Sequence, residues 1–334
     1  MYFFVQVKRR GSPRRATIYE RFQAAHLSIR FSSQSAIVLL LLHTFSFTSV
    51  ANWQSTLTKD PPGDFPELRP LHATYRFGWS GLTAATGEVQ FTKPSQDRLQ
   101  FEGTGRTISF VRALWKLDVN YRALANAETL RPVETRQTEN YRAKKIATQL
   151  TFTNNGVIRA RTEDQGSAVD TKTRDFSFPN LFDLDSAMLY LRSQPLRDRS
   201  IHRVVVYPAT SAYLATVTVL GREKISVRAG NYAAIKIDLQ LNRIGKKLDL
   251  EPHRKFRRAT VWVSDDNDRI LLRIEAQVFV GTVFAELQSI HFDGPNRNAG
   301  VTGFHEHSML DVIQEPILRA RAAQAEDGRD DGTD

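Results

Sequence analysis

Apolar and polar positions alternate along residues 235–242 and again along residues 269–280. This period of two places apolar side chains on one face of a strand and polar side chains on the other. Strands with two such faces are typical of an antiparallel sheet that has a core on one side and water on the other. The pattern predicts two strands with these core-facing residues: Ile235, Ile237, Leu239, Leu241, Ile270, Leu272, Ile274, Ala276, Val278 and Val280.

Short runs rich in Asn, Asp and Gly separate the apolar segments. They occupy residues 154–156, 229–231 and 265–268, where hairpins need residues that tolerate tight turns. Gly281 interrupts the second alternating segment, so we expect a bulge or a sharp bend there. The chain is therefore predicted to be mainly β, with an antiparallel, strongly curved sheet that forms an open half-barrel or a sandwich.

One segment has a helical period instead. Apolar residues recur at helical spacing over about residues 181–192, and this predicts one short helix. Asp183 and Asp185 lie at its start, where carboxylates cap backbone N–H groups and interact favourably with the helix dipole. A carboxylate pair for metal binding or acid–base chemistry is the alternative. Residues two apart on a helix point to different sides, which favours the structural interpretation.

The amino-terminal segment resembles a secretory signal. An apolar run of about 15 residues follows a basic stretch and ends in Ser49-Val50-Ala51, with small residues at the positions that signal peptidase reads. The run is short and contains His43 and Thr44, so it would not comfortably span about 30 Å of hydrocarbon. We expect residues 1–51 to be a signal peptide with an over-long start, and the protein to be exported. An uncleaved membrane anchor is the alternative.

The rest of the chain divides by composition. Residues 52–69 contain Pro61, Pro62, Gly63 and Pro66 and are predicted to be a flexible linker. Residues 70–291 hold the strand patterns and are predicted to be one β-domain. Residues 292–334 have few large apolar residues and end in acidic ones, so we expect a disordered tail.

Charge and cysteine content exclude several classes of function. The chain has a net charge of +10, but residues 1–51 contain seven basic residues and one acid, which account for +6 of it. The remaining basic residues alternate with acids, so no stripe favours nucleic acid. The absence of cysteine excludes disulfides, thiolate metal sites and an acylated lipoprotein anchor.

Residues 254–287, which contain the segment RKFRRATVWVSDDNDRILLRIEAQ, resemble the carboxy-terminal signature of the bacterial family called domain of unknown function 3108. Residues 75–82, 185–192 and 221–232 are similar to its other landmarks in the same order. Leu271 departs from the pattern, which has proline there. The resemblance implies an all-β protein of the Gram-negative periplasm with no established activity, and a fold similar to the half-barrels of lipoprotein carriers.

Candidate catalytic or metal-binding groups have simpler explanations. Residues 264–268 could cradle calcium, but they lack the glycine and the closing glutamate of a calcium loop, so a hairpin turn is favoured. Glu275 and Glu286 could form the carboxylate pair of a glycan hydrolase, whereas ion pairing on the wet face is the default. His305 and His307 lie outside the family-like region. We expect no cofactor and no metal, and find no catalytic constellation.

Aromatic and basic residues are the better candidates for binding. Aromatic rings offer broad contact surface, and a basic rim could face phosphate or carboxylate groups. The leading hypothesis is a non-enzymatic module that binds or carries an amphiphile or an envelope glycan, with peripheral membrane association. The alternative is a structural component that docks in an envelope assembly by strand addition or through the helix. The candidate ligand-binding residues are Trp79, Trp115, Trp262, Arg254, Lys255, Arg257 and Arg258.

Overall fold

The computed structural model describes residues 52–164, 169–176, 180–252, 258–278 and 281–293. Within these ranges sixteen strands form one sheet. The strands are β1 Leu71–Trp79, β2 Leu82–Ser95, β3 Arg98–Thr107, β4 Leu117–Asn126, β5 Pro132–Tyr141, β6 Lys145–Phe152, β7 Gly156–Glu163, β8 Asp170–Asp175, β9 Leu181–Phe182, β10 Ile201–Val206, β11 Tyr213–Val227, β12 Gly230–Ile244, β13 Leu250–Pro252, β14 Arg258–Ser264, β15 Leu271–Val278 and β16 Gly281–Phe292. The helices are α1 Ser109–Leu114, α2 Leu184–Ser193 and a 3₁₀ helix at Trp53–Thr56.

The sheet consists of two antiparallel meanders. Strands β1 to β8 follow one another in space, and β10 to β16 do the same apart from the short β13, which pairs only with β12. The first and last strands, β1 and β16, join the two meanders. β9 is parallel to β10. The described strands therefore confirm the predicted mainly β, antiparallel fold, with β8 and β9 as the two ends of the strand order.

The two faces of the sheet differ. Tyr75, Phe91, Phe101 and Leu287 belong to one core cluster with Leu189 of α2, and we call the face that carries them the inner face. The predicted strands at 235–241 and 270–278 place their apolar residues as expected, since Ile235, Leu272 and most of their alternating neighbours are buried. The opposite face is called the outer face.

Helix α2 fills the inner face. It begins three residues later than predicted, because Leu181 and Phe182 form β9. Asp183 caps the helix: its carboxylate accepts the Ser186 backbone N–H at 2.7 Å, and the Ser186 hydroxyl lies 3.2 Å from the Asp183 backbone N–H that donates to it. No residue of α2 is exposed. The capping interpretation of Asp183 is confirmed.

Two expectations need correction, and a third, the sharp bend at Gly281, is made more specific. The prediction of one helix missed α1, because six residues are too few for a helical period to show. Residues 52–69 are not a free linker, since Trp53 and Leu57 are buried and the Trp53 indole donates to the Leu248 carbonyl at 2.7 Å. The irregularity at Gly281 is a full reversal: β15 ends at Val278, and β16 starts at Gly281 and runs antiparallel to it.

Candidate functional site at the rim of the sheet

Two turns and one helix cluster at one end of strands β1 to β6. We call this end the rim, and it comprises residues 79–84, 106–118 and 141–145. Trp79 and Leu82 are directly paired across the β1–β2 hairpin. The two residues between them, Ser80 and Gly81, have φ values of 47° and 85°. Positive φ at both positions is what a two-residue I′ turn requires. The hairpin therefore holds Trp79 and Leu82 side by side.

The start of β16 supports this hairpin. The Ser80 backbone N–H donates to the Thr282 carbonyl at 2.7 Å. Gly281 has a φ of +121°, and a Cβ there would lie 2.5 Å from the Ser80 hydroxyl and 3.0 Å from the Trp79 indole nitrogen. Only glycine suits this position, because a side chain would be strained and would push Trp79 away.

Helix α1 is anchored by its polar groups. The Ile108 backbone N–H donates to the Ala84 carbonyl at 3.0 Å, so α1 begins opposite the start of β2. Arg112 donates to both carboxylate oxygens of Asp118 at 2.6 and 3.0 Å. Arg142 donates to the Ala113 carbonyl at 2.6 Å. These contacts fix a helix that has no buried residue.

The side chains that remain on α1 are apolar and face water. Phe110 and Leu114 are four residues apart and therefore share one helix face. The exposed fractions at the rim are 45% for Trp79, 42% for Leu82, 55% for Phe110, 79% for Leu114 and 37% for Trp115. Five large apolar side chains are thus exposed on fixed backbone at one end of the sheet.

The segments that carry these apolar side chains are rich in basic residues. The rim segments contain six basic residues against one acid, Asp118. Trp115 lies 6.4 Å from the Tyr141 ring, and the Lys144 ammonium group lies 5.9 Å from the same ring. The six basic residues are Arg106, Arg112, Lys116, Arg142, Lys144 and Lys145.

The structure brings Trp79 and Trp115 together but places other predicted binding residues elsewhere. Trp262 is buried in the middle of β14, where its indole donates to Glu223 at 2.6 Å and faces the Lys236 ammonium group. Arg258 begins β14 and pairs with Asp238. Arg254, Lys255 and Arg257 lie outside the described residues.

Glu275 and Glu286 share an arginine on the outer face. Arg273 lies 2.5 Å from Glu275 and 3.6 Å from Glu286. Arg76 binds the other Glu286 oxygen at 2.7 Å. Both carboxylates therefore belong to an ion-pair network, as the default interpretation expected.

Asp185, the second acid of α2, is held inside the sheet. Its carboxylate accepts the Tyr121 hydroxyl, while Asp183 accepts the Thr135 hydroxyl at 2.8 Å. Burial raises the pKa of Asp185 to about 7, and the neighbouring Asp183 charge adds to the shift while the Tyr121 hydrogen bond opposes it. Burial also raises the pKa of Asp183. Two acidic side chains are therefore placed in the core at the N-terminal end of α2.

The β14–β15 turn lies at the opposite end of the strands, which we call the base. Asp266 accepts the Ser264 hydroxyl at 2.7 Å and the backbone N–H groups of Asp268 and Arg269 at 3.0 Å each, so it shapes a hairpin turn as predicted. Among the described residues no group of three or more acids and histidines could hold a metal ion. His305 and His307 lie outside those residues.

A cluster of arginines ties this turn to α2. Arg192 donates to the backbone carbonyls of Asp268 at 2.7 Å, of Asn267 at 2.6 Å and of Pro66. Arg69 binds both carboxylate oxygens of Asp268 at 2.9 and 2.6 Å. Arg269 donates to the carbonyl of Arg192 at 2.6 Å and stacks 3.4 Å from the Phe65 ring centre. We call this set the base cluster: Phe65, Arg69, Arg192, Asp268 and Arg269.

The fold and the rim together define an antiparallel β-sheet protein with an amphiphilic surface at one end. The model of the family described as "Protein of unknown function (DUF3108)" matches residues 74–288, and the chain belongs to this family. No curated protein matches. Among the residues that the structure describes, no helix is long and apolar enough to cross a membrane.

Solved structures with similar folds have low sequence identity. A β-barrel-like protein of domain of unknown function 1849 from Brucella abortus is 9% identical with a TM-score of 0.46, over 68% of this chain and 98% of that one. A "putative lipoprotein" from Parabacteroides distasonis is 10% identical with a TM-score of 0.30, over 70% and 100% of the two chains. A "putative exported protein" from Bacteroides fragilis is 9% identical with a TM-score of 0.26, over 68% and 98%.

Proposed function

We propose that this protein is an exported, non-enzymatic module that docks through the rim onto an anionic lipid surface of the cell envelope. The observation that carries the proposal is the set of five exposed apolar side chains on fixed backbone, in segments that also contain six basic residues. Export and a periplasmic location are part of the proposal, and they rest on the signal-like segment at residues 36–51.

The chemistry of the rim suits a membrane interface. Trp and Phe insert at the level of the headgroups, and Leu reaches the acyl boundary, so transferring these side chains from water to the interface is favourable. Each Lys or Arg near an anionic surface adds about 1 kcal/mol to binding. A patch with both properties binds more tightly than either property alone would allow.

Among the residues that the structure describes, the other exposed large apolar side chains do not form a comparable patch of Trp, Phe and Leu on one turn and one helix. They are spread over β7, β10, β11, β13 and the residue before β8, and single exposed apolar residues are ordinary on protein surfaces. They are Ile158, Val169, Ile201, Leu220 and Leu250. This contrast makes Leu220, exposed to 48%, a suitable control position.

Two observations favour rim docking over the other binding modes. α2 occupies the inner face and exposes no residue, so it is unsuited to be a docking helix and it fills the space that an acyl chain would need. The edge strand β8 has the sequence DTKTRD, in which charged residues discourage pairing with another strand.

The test is sedimentation of the full mature chain with vesicles of phosphatidylglycerol and phosphatidylethanolamine. We expect Phe110→Ser combined with Leu114→Ser to bind about 30-fold more weakly, because about 2 kcal/mol of apolar burial is lost. Raising the salt concentration should weaken binding by the unmodified protein, since the basic residues act through screened electrostatics.

The control is Leu220→Ser, which removes an exposed leucine outside the rim. For charge, Lys116→Glu should weaken binding to anionic vesicles and Lys224→Glu at the base should not. Equal effects of the rim and control variants, or equal binding to purely zwitterionic vesicles, would contradict the proposal. Circular dichroism melts should show that all variants fold.

A further inference from the structure

The outer face carries two rows of polar side chains that cross six strands. The strand register places the first row on neighbouring strands in this order: Ser289, Thr74, Glu88, Thr104, Asn120 and Thr138. The second row lies two residues further along each strand: His291, His72, Gln90, Glu102, Arg122 and Arg136. Nine of these twelve residues are exposed.

The difference in side-chain length between the rows creates a trough. Five of the six residues in the first row are Ser, Thr or Asn, whereas every residue in the second row has a long or ring-shaped side chain. The first row therefore forms a floor and the second row a wall. The resulting trough has a volume of about 670 Å³, and the twelve side chains line it together with the intervening backbone.

The wall and floor are partly fixed by hydrogen bonds. Arg122 donates to the Gln100 side chain at 2.6 and 3.2 Å and lies 3.6 Å from Glu102. The Ser289 hydroxyl donates to the Thr74 hydroxyl at 3.0 Å and links β16 to β1 across the floor. A polar surface that is already ordered loses less conformational entropy when a ligand binds.

The charges of the two rows select among ligands. Glu88 and Glu102 balance Arg122 and Arg136, so the formal charge of the rows is zero when the histidines are neutral. A balanced surface gives no attraction to a polyanion. Neither row contains a large apolar side chain for an acyl chain to contact. Hydroxyl and amide groups dominate the floor, and they match a ligand with many hydroxyl and amide groups and no charge.

We infer that the trough binds a neutral glycan chain, laid across the strands along the floor. Neighbouring strands are about 4.8 Å apart, which is close to the advance of one sugar unit in an extended glycan. The six strands span roughly 24 Å, which accommodates about five units, and five of the six strands offer a hydroxyl or an amide to them. This binding site is separate from the rim and does not depend on lipid docking.

The test is calorimetric titration of the full mature chain with neutral β-linked N-acetylglucosamine oligosaccharides of two to six units. We expect affinity to rise with length and to level off near five units. A fully deacetylated, cationic chain and a uronate chain of the same length should bind at least tenfold more weakly. Thr104→Ala, Asn120→Ala and Thr138→Ala together should lower the affinity for the neutral chain at least tenfold.

The matched control has the same residue types outside the trough: Asn155→Ala, Thr171→Ala and Thr173→Ala, all at exposed positions. A second single variant, Asn120→Arg, should block the floor by bulk and guard against a folding defect in the triple variant. The inference is overturned if no neutral chain binds, if a charged chain binds as tightly, or if the trough and control variants behave alike. Vesicle binding is measured separately, so either site can fail without the other.

Discussion

The base cluster and the rim lie at opposite ends of the same sheet and use the same residue types, arginines and aromatic rings. At the base, Arg192 donates to backbone carbonyls, Arg69 donates to the Asp268 carboxylate, and Arg269 stacks on Phe65. At the rim, the rings and Leu114 face water and five basic residues have no acid of the rim to balance them. The arginines of the base bind groups of the same chain, whereas the apolar side chains of the rim are exposed to solvent, as the proposed docking requires.

The difference separates stability from function. Removing a buried arginine leaves carbonyl groups without donors, and each such group costs free energy of unfolding. Removing an exposed side chain from the rim changes little in the folded state and acts on binding instead. The predictions below test this separation, beginning with the largest expected effect.

The largest effect is expected for Arg192→Met. Three carbonyl groups lose their donor, and we expect a loss of about 4 kcal/mol in the free energy of unfolding, measured by urea denaturation. Arg112→Met at the rim should leave the urea midpoint unchanged, because its ion pair with Asp118 is in contact with solvent. Similar losses of stability in the two variants would contradict the claim that the base stabilises the fold and the rim does not.

The next effect is a pH dependence that comes from the core. Asp185 has a pKa of about 7 in the folded chain and near 3.8 when unfolded, so folding takes up a proton between these values. Its contribution to stability is complete below about pH 4 and is lost as the pH rises to about 7. We expect Asp185→Asn to reduce the change in the free energy of unfolding between pH 4 and pH 7 by about 2 to 4 kcal/mol. Urea denaturation at several pH values measures this change. An unchanged slope would mean that the carboxylate is not desolvated.

The smallest effect concerns two tryptophans. Trp262→Phe removes the hydrogen bond to Glu223 and should cost about 1 kcal/mol of stability. Trp79→Phe should leave thermal stability unchanged and reduce vesicle binding only slightly, because the phenyl ring remains at the rim. Thermal denaturation of both variants provides the measurement, and the reverse order of stability would show that Trp79 is the structural residue.

Local patterns predicted much of the fold. Alternation found the strands around Ile237 and Ile274, and Asn, Asp and Gly marked three turns that the structure contains. The alternation Val261, Trp262, Val263 also indicates which face of β14 carries Trp262, and the prediction of Trp262 as a ligand-binding residue did not use it. It places Trp262 on the face opposite to Val261 and Val263, where its side chain is buried.

The remaining features depend on contacts between distant parts of the chain. α1 has fewer than two turns, so Phe110 and Leu114 produced no recognisable period. The polar rows need the register of β1 against β16, which joins residues 215 positions apart, as Thr74 and Ser289 show. No local pattern contains that register, and the trough was therefore absent from the sequence-based hypotheses.

Strand β1 also fixes the distance between the trough and the rim. Thr74 lies in the floor of the trough and Trp79 at the rim, five residues further along the same strand. At about 3.3 Å per residue, the strand keeps the two sites roughly 17 Å apart. A protein seated on its rim would therefore hold the trough about two Debye lengths above the lipid at physiological salt. At that height the negative potential of the membrane is largely screened, so the trough would bind a neutral glycan beyond the reach of the headgroup charges.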